Sequence, residues 1–202
     1  MQHTHPLAAL VVALSLVAAP SHSEAASNDA PLTNATVDQL VQMLSGPTAK
    51  SLRAPRPVPD AATSLCTPPT GAGGSSSYGR NLVAYADDTA SRVNLALQFG
   101  LNSTALHATD RSQLDVLATA LRRPELVDAS FAVAGHTDIT GKSEANLKLS
   151  CGRALAARQY LIKQGVMAER LSAYGFGSNR LITGTEPDNP VHRRVEIRRA
   201  PD

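Results

Sequence analysis

The strongest constraint on the fold is a hydrophobic period that changes repeatedly along residues 91–202. Val93, Leu95, Leu97 and Phe99 alternate with Asn94, Ala96 and Gln98, the period of two that marks a strand with one polar face. Asp110-Arg111-Ser112-Gln113 then opens a helix carrying Leu114, Leu117, Ala118 and Leu121, closed by Arg122-Arg123-Pro124. A second strand is expected over 129–135 with Phe131 and Val133 inward, and a long helix over 143–164 with Gly165 as its C-terminal cap. That helix has Leu147, Cys151, Ala154, Leu155, Arg158, Leu161 and Ile162 on its apolar side. Strands at 171–174 and 194–198 complete the pattern. Strands that alternate with helices imply an α/β sandwich, a mixed sheet of about four strands with helices packed on one face.

The preceding residues read differently. Residues 7–19 are an apolar run interrupted by one Ser, followed by Pro20 and small residues, a pattern that predicts a secretory signal over 1–25 with cleavage after Ala25. The run is too short to span a bilayer, which takes about 20 apolar residues, and no transmembrane segment is expected in the mature chain. The n-region has no Lys or Arg, which departs from the usual pattern. Thr36-Val37-Asp38-Gln39 reads as a capping box for a short helix with Val37, Leu40, Val41 and Leu44 on one side, stopped by Ser45-Gly46-Pro47. From Gly46 to Arg80 stand six Pro, five Gly and five Ser, the composition of a linker, so 26–90 is expected to be helix plus linker. Cys66 lies inside this stretch and Cys151 in the long helix; a disulfide between them and two free thiols are both open. Export would place the chain in an oxidising compartment, the periplasm of a Gram-negative cell.

Composition excludes more than it identifies. The chain has no Trp and is 3% aromatic, so it lacks material for stacking bases or sugars. A formal charge of +2 is no nucleic-acid signature. No cofactor motif is present, and His136 has no second His or Cys at metal-ligand spacing.

The chemistry concentrates where the second strand gives way to the long helix, at Gly135-His136-Thr137-Asp138-Ile139-Thr140-Gly141. A polar loop at a strand's carboxyl end is a usual ligand site in α/β folds. Asn146 and Arg153, seven residues apart on a helix, differ by only about 20° and lie roughly 10 Å apart along the axis. Asp138 can therefore present a carboxylate near the Arg153 guanidinium, and such a pair suits a zwitterion. Asp138 would equally serve as a local cap, and Arg153 as a solvated helix charge. A hydrolase would have to use Ser150, His136 and Asp138, whose spacing matches no triad or zinc motif.

Gly135-His136-Thr137-Asp138, with Gly141, Asn146, Leu149-Ser150, Arg153-Ala154, Gly175-Phe176-Gly177 and Arg193-Arg194-Val195-Glu196-Ile197, resembles the OmpA-like C-terminal domain family from about Val93 to Ile197. The resemblance implies a β/α sandwich over 91–202 that binds peptidoglycan non-covalently and holds the diaminopimelate of the stem peptide. It implies that Asp138 takes the ligand's ammonium and Arg153 its carboxylate, with Asn102, Thr140, Asn146 and Arg193 at lesser contacts. It implies no enzymatic activity and no cofactor, with a periplasmic location that includes association with the outer membrane. The helix at 36–44 offers a second surface, toward an envelope or outer-membrane protein. Departures from the family pattern are His192 before Arg193, Ser178 after Gly177, and Cys151-Gly152 before Arg153. The cluster Arg193, Arg194, Arg198 and Arg199 reads either as a basic edge drawn to phosphates or as protection of an edge strand.

Overall fold

A computed structural model describes residues 30–46, 64–66, 91–100 and 102–200. The expected signal at 1–25 and most of the Pro/Gly/Ser-rich stretch lie outside these residues. In chain order the elements are α1 (Val37–Leu44), β1 (Ser64–Leu65), β2 (Arg92–Leu95), α2 (Ala108–Leu121), β3 (Phe131–Gly135), α3 (Ser143–Lys163), β4 (Leu171–Gly175) and β5 (Val195–Arg199), with 3-10 turns at Ala168–Arg170 and Pro190–His192. The sheet order is β1-β4-β3-β5-β2. β3 and β4 run parallel, and the other pairings are antiparallel. The four expected strands are all present, and β1 adds a two-residue fifth at one edge.

Strand alternation divides the sheet's side chains between two faces. Phe131, Val133, Leu171, Ala173, Val195 and Ile197 belong to the main core with Leu114, Leu117 and Leu121 of α2 and Ala154, Ala157 and Leu161 of α3. Leu40 and Leu44 of α1 join the same core at 1% and 0% exposure, each worth about 1.5–3 kcal/mol of burial. The capping box expected at Thr36 and Gln39 is formed. Ala132, Ala134, Tyr174 and Phe176 form a smaller cluster on the opposite face.

Several boundaries differ from expectation. β2 ends at Leu95 rather than continuing to Phe99, and the chain beyond it turns toward α2. α2 starts at Ala108, two residues before the expected opening. Asp110 is thus the third helical residue, and its buried carboxylate accepts from the amides of His107 (2.8 Å) and Gln98 (2.6 Å), tying the helix start to the loop. The buried stripe of α3 runs through Asn146, Ser150, Arg153, Ala154, Ala157 and Leu161, rotated from the apolar side expected through Leu147 and Leu155. β5 is not an edge strand: it lies between β3 and β2, and Arg194 and Arg198 are buried beside Glu196. Edge protection is therefore not their role.

Two glycines let α3 approach the sheet. A Cβ on Gly135 would stand 2.0 Å from the Ser150 carbonyl oxygen, and one on Gly175 would stand 2.7 Å from the Cys151 amide nitrogen. Beside this contact Cys66 and Cys151 form a disulfide, with Cα atoms 5.4 Å apart, fastening the β1 edge to α3.

Candidate functional site

The loop after β3 is fixed by its backbone before any side chain acts. The amides of His136, Thr137 and Ile139 donate to the carbonyls of Arg194, Gly177 and Pro187 at 3.0, 2.8 and 3.1 Å. Asn146 on the first turns of α3 donates through Nδ2 to the carbonyls of Thr140 (2.9 Å) and Asp138 (3.3 Å). Its side chain thus braces the loop from the helix side. Gly141 completes the turn into α3 at φ 91°, in the region that favours glycine.

Asp138 is the focus of this loop. One carboxylate oxygen accepts from the Thr140 amide at 3.0 Å and from the Thr140 hydroxyl; the other accepts from Arg193 Nη1 at 2.7 Å. Burial acts to raise its pKa, but the Thr140 and Arg193 hydrogen bonds and the Arg193 charge outweigh that and hold it below the ordinary carboxylate value. Arg193 itself is half-exposed.

Arg153 is nearly buried and is held from the other side. Nε donates to the Ser103 carbonyl at 3.2 Å and Nη2 to the Gly100 carbonyl at 3.3 Å, while the guanidinium lies 5.0 Å from the Phe99 ring centroid. Burial lowers its pKa and the Arg193 charge lowers it further, while the Asp138 charge works in the opposite direction. One acid and two guanidiniums therefore share a single electrostatic neighbourhood.

The sequence-derived residues divide accordingly. Asp138, Thr140, Asn146 and Arg193 are joined by direct hydrogen bonds. Arg153 is coupled to them through charge. Asn102 is exposed and takes φ 50° in the turn between the two carbonyls that hold Arg153, a conformation Asn tolerates better than most residues. Phe99, Gly100 and Ser103, which seat Arg153, are missing from the sequence-derived set; the aromatic just beyond β2 is the signal that could have found them. Ser150 donates to the Leu147 carbonyl (2.8 Å) and accepts from the Gly177 amide (2.9 Å), so its hydroxyl ties α3 to the loop after β4.

His136 is fully buried, stacked on Phe176 with ring centroids 5.3 Å apart. Its Nε2 is 3.3 Å from Glu196 Oε2, close but not aligned as a hydrogen bond. Burial is the main influence lowering its pKa to about 4. Glu196 is lowered to about 2: burial would raise it, but His136, Arg198 and Arg194 overcome that effect. The Glu196 carboxylate is 2.8 Å from Arg198 and 3.8 Å from Arg194, whose Nε donates to Asn94 at 3.1 Å. This buried polar cluster lies on the sheet face opposite the main core, and the sequence hides it because alternating charges suggest an exposed face. Among the described residues no group of His, Cys, Asp and Glu is arranged to hold a metal, and no helix is long and apolar enough to cross a membrane.

Residues 98–194 match the OmpA family, a span that contains Asp138, Thr140, Asn146, Arg153 and Arg193. Outer membrane protein A of Klebsiella aerogenes is 36% identical over 99 residues, covering 49% of this chain and 28% of that protein. Outer membrane protein A of Serratia marcescens is 36% identical over 86 residues, covering 43% of this chain and 24% of that protein. The matched stretch is thus less than a third of either relative's length. Among solved structures, the OmpA-like domain of FopA1 from Francisella tularensis aligns at 23% identity with a TM-score of 0.48, covering 55% of this chain and 72% of that one. Residues 98–194 of this chain are an OmpA-family domain.

Proposed function

We propose that this domain binds peptidoglycan non-covalently by holding the diaminopimelate of the stem peptide, tethering an exported envelope protein to the wall. The observation that carries the reading is the Asp138 carboxylate, fixed in a loop braced by Thr140 and Asn146, with the buried Arg153 guanidinium within range of its charge. Diaminopimelate carries an ammonium and a carboxylate on one carbon, so it can place opposite charges against both groups. The planar Arg153 fork suits a carboxylate. Arg193 already neutralises one oxygen of Asp138, so an incoming ammonium shares or displaces that contact. Family membership supports the same ligand, and the periplasmic face of an outer membrane is the compartment where this ligand and an intact Cys66–Cys151 disulfide coexist.

Affinity per site is modest. Charge-assisted hydrogen bonds contribute about 1.5–3 kcal/mol each and exposed pairs about 0–1 kcal/mol, while millimolar binding already corresponds to about −4 kcal/mol. Attachment is weak and reversible at one stem, and a polymer presenting many stems prolongs it. The test is co-sedimentation with diaminopimelate-type sacculi. Asp138→Asn and Arg153→Ala should each leave the folded protein in the supernatant, and two variants that pellet like the parent would remove the assigned site. Incubation with labelled muropeptides should leave them intact; a cleavage product would contradict the non-enzymatic part of the reading.

A further inference from the structure

A cavity of 520 Å³ opens between residues 33–35 and the outer side of α2, within the size range of small-molecule sites. Its polar lining is Thr33, Asn34, Gln98, Thr109, Ser112 and Gln113, and among the described residues no charged side chain lines it. Leu40, Leu95 and Val116 supply apolar wall. Gln113 stands in the cavity wall, and its Oε1 is buried with no hydrogen-bond donor on it among the described residues. A second hollow of 390 Å³ shares Thr33, Asn34 and Ala35 and extends the amide lining through Gln39 and Gln42. A row of neutral amides and hydroxyls over an apolar floor fits a neutral ligand rich in hydroxyl and acetamido groups.

The place of the cavity in the fold adds a length. β2 and β3 both run antiparallel to β5, which separates them, so their carboxyl ends lie at one end of the sheet. Leu95 and Gln98 bring the cavity to the end of β2, and Asp138 follows the end of β3. Two strand spacings, about 10 Å, separate the ends of β2 and β3. Phe99 and Gly100, which hold Arg153, directly follow Gln98 in the chain. In a diaminopimelate-type wall that residue is third from the sugar, and three extended residues span roughly 10 Å. We propose that the cavity is a second subsite, for an N-acetylated sugar of the wall glycan, filled while Asp138 and Arg153 hold the stem; the assignment rests on the proposed wall-binding function.

The test is an NMR titration of the full chain with N,N′-diacetylchitobiose and, separately, with free meso-diaminopimelate. The sugar should shift the amides of Thr109, Ser112 and Gln113, also in Asp138→Asn. Gln113→Leu should weaken sugar binding about tenfold, as expected for one lost buried hydrogen bond, and leave the diaminopimelate shifts at Thr140 and Asn146 unchanged. Ser112→Trp, which fills the cavity from an exposed position, should abolish sugar binding with the rest of the spectrum intact. Absence of sugar shifts at millimolar concentration, or sugar shifts that both variants leave unaltered, would overturn the subsite. So would stronger shifts at these amides from a neutral capped dipeptide than from the sugar. Loss of diaminopimelate binding in the parent, with sugar binding retained, would overturn the stem-peptide reading and leave the sugar site standing.

Discussion

Three donors converge on the Asp138 carboxylate, and their combined effect exceeds the cost of its burial. With its pKa below the ordinary value, the group stays ionised as pH falls toward the usual carboxylate range. Wall binding at pH 5 should therefore equal binding at pH 7, and a co-sedimentation series across that interval checks it. His136 behaves oppositely. Its folded pKa of about 4 lies below its ordinary 6.5, so the unfolded chain takes up the proton first as pH falls. The stability that neutral His136 provides is complete above about pH 6.5 and is lost as pH falls toward 4. Urea unfolding should show about 2 kcal/mol less stability at pH 5 than at pH 7 from this group, and His136→Phe should remove that part of the slope. Glu196 adds its own loss only below its ordinary 4.5, because its folded pKa is about 2.

At the scale of elements, the contact between α3 and the sheet controls how the site is presented. Gly135→Ala would set a methyl against the Ser150 carbonyl, in backbone that has no flexible end to yield. The expected cost is about 3 kcal/mol, read as a lower urea midpoint, with Asn146 and Arg153 displaced together. The disulfide acts on the same helix. Replacing both Cys66 and Cys151 by Ser should lower stability by about 2–4 kcal/mol, measured by thermal or urea unfolding. Periodicity exposed the long elements because Leu114, Leu117 and Leu121 leave little alternative to a helix, and Val195 with Ile197 little alternative to a strand. It did not expose β1, because two residues in a Pro- and Gly-rich stretch carry no period and are held by pairing with Tyr174 and Gly175. The buried stripe of α3 was hidden because glycines in the sheet admit Ser150 where a larger apolar residue would be expected.

Across the whole molecule, the sheet gathers the chemistry at one end. Asp138 follows β3 and Arg153 is seated by carbonyls beyond β2, so two segments far apart in sequence come within range of each other's charge. Asp138 and Arg153 were legible as candidates because both lie on a local motif, whereas the Gly100 and Ser103 carbonyls that seat Arg153 are brought in by the fold and carry no side-chain signal. The described part of the chain before residue 91 also belongs to this body: α1 completes the core and Cys66 is bonded to α3. Under the proposed recognition of a zwitterion, the ligand's distal carboxylate is as necessary as its ammonium. Co-sedimentation of the full chain with sacculi whose stems carry diaminopimelate, set against sacculi whose stems carry lysine, tests this most directly. Retention is expected on the diaminopimelate wall and loss on the lysine wall, which lacks the carboxylate that Arg153 would hold; equal retention on both would contradict recognition of the zwitterion.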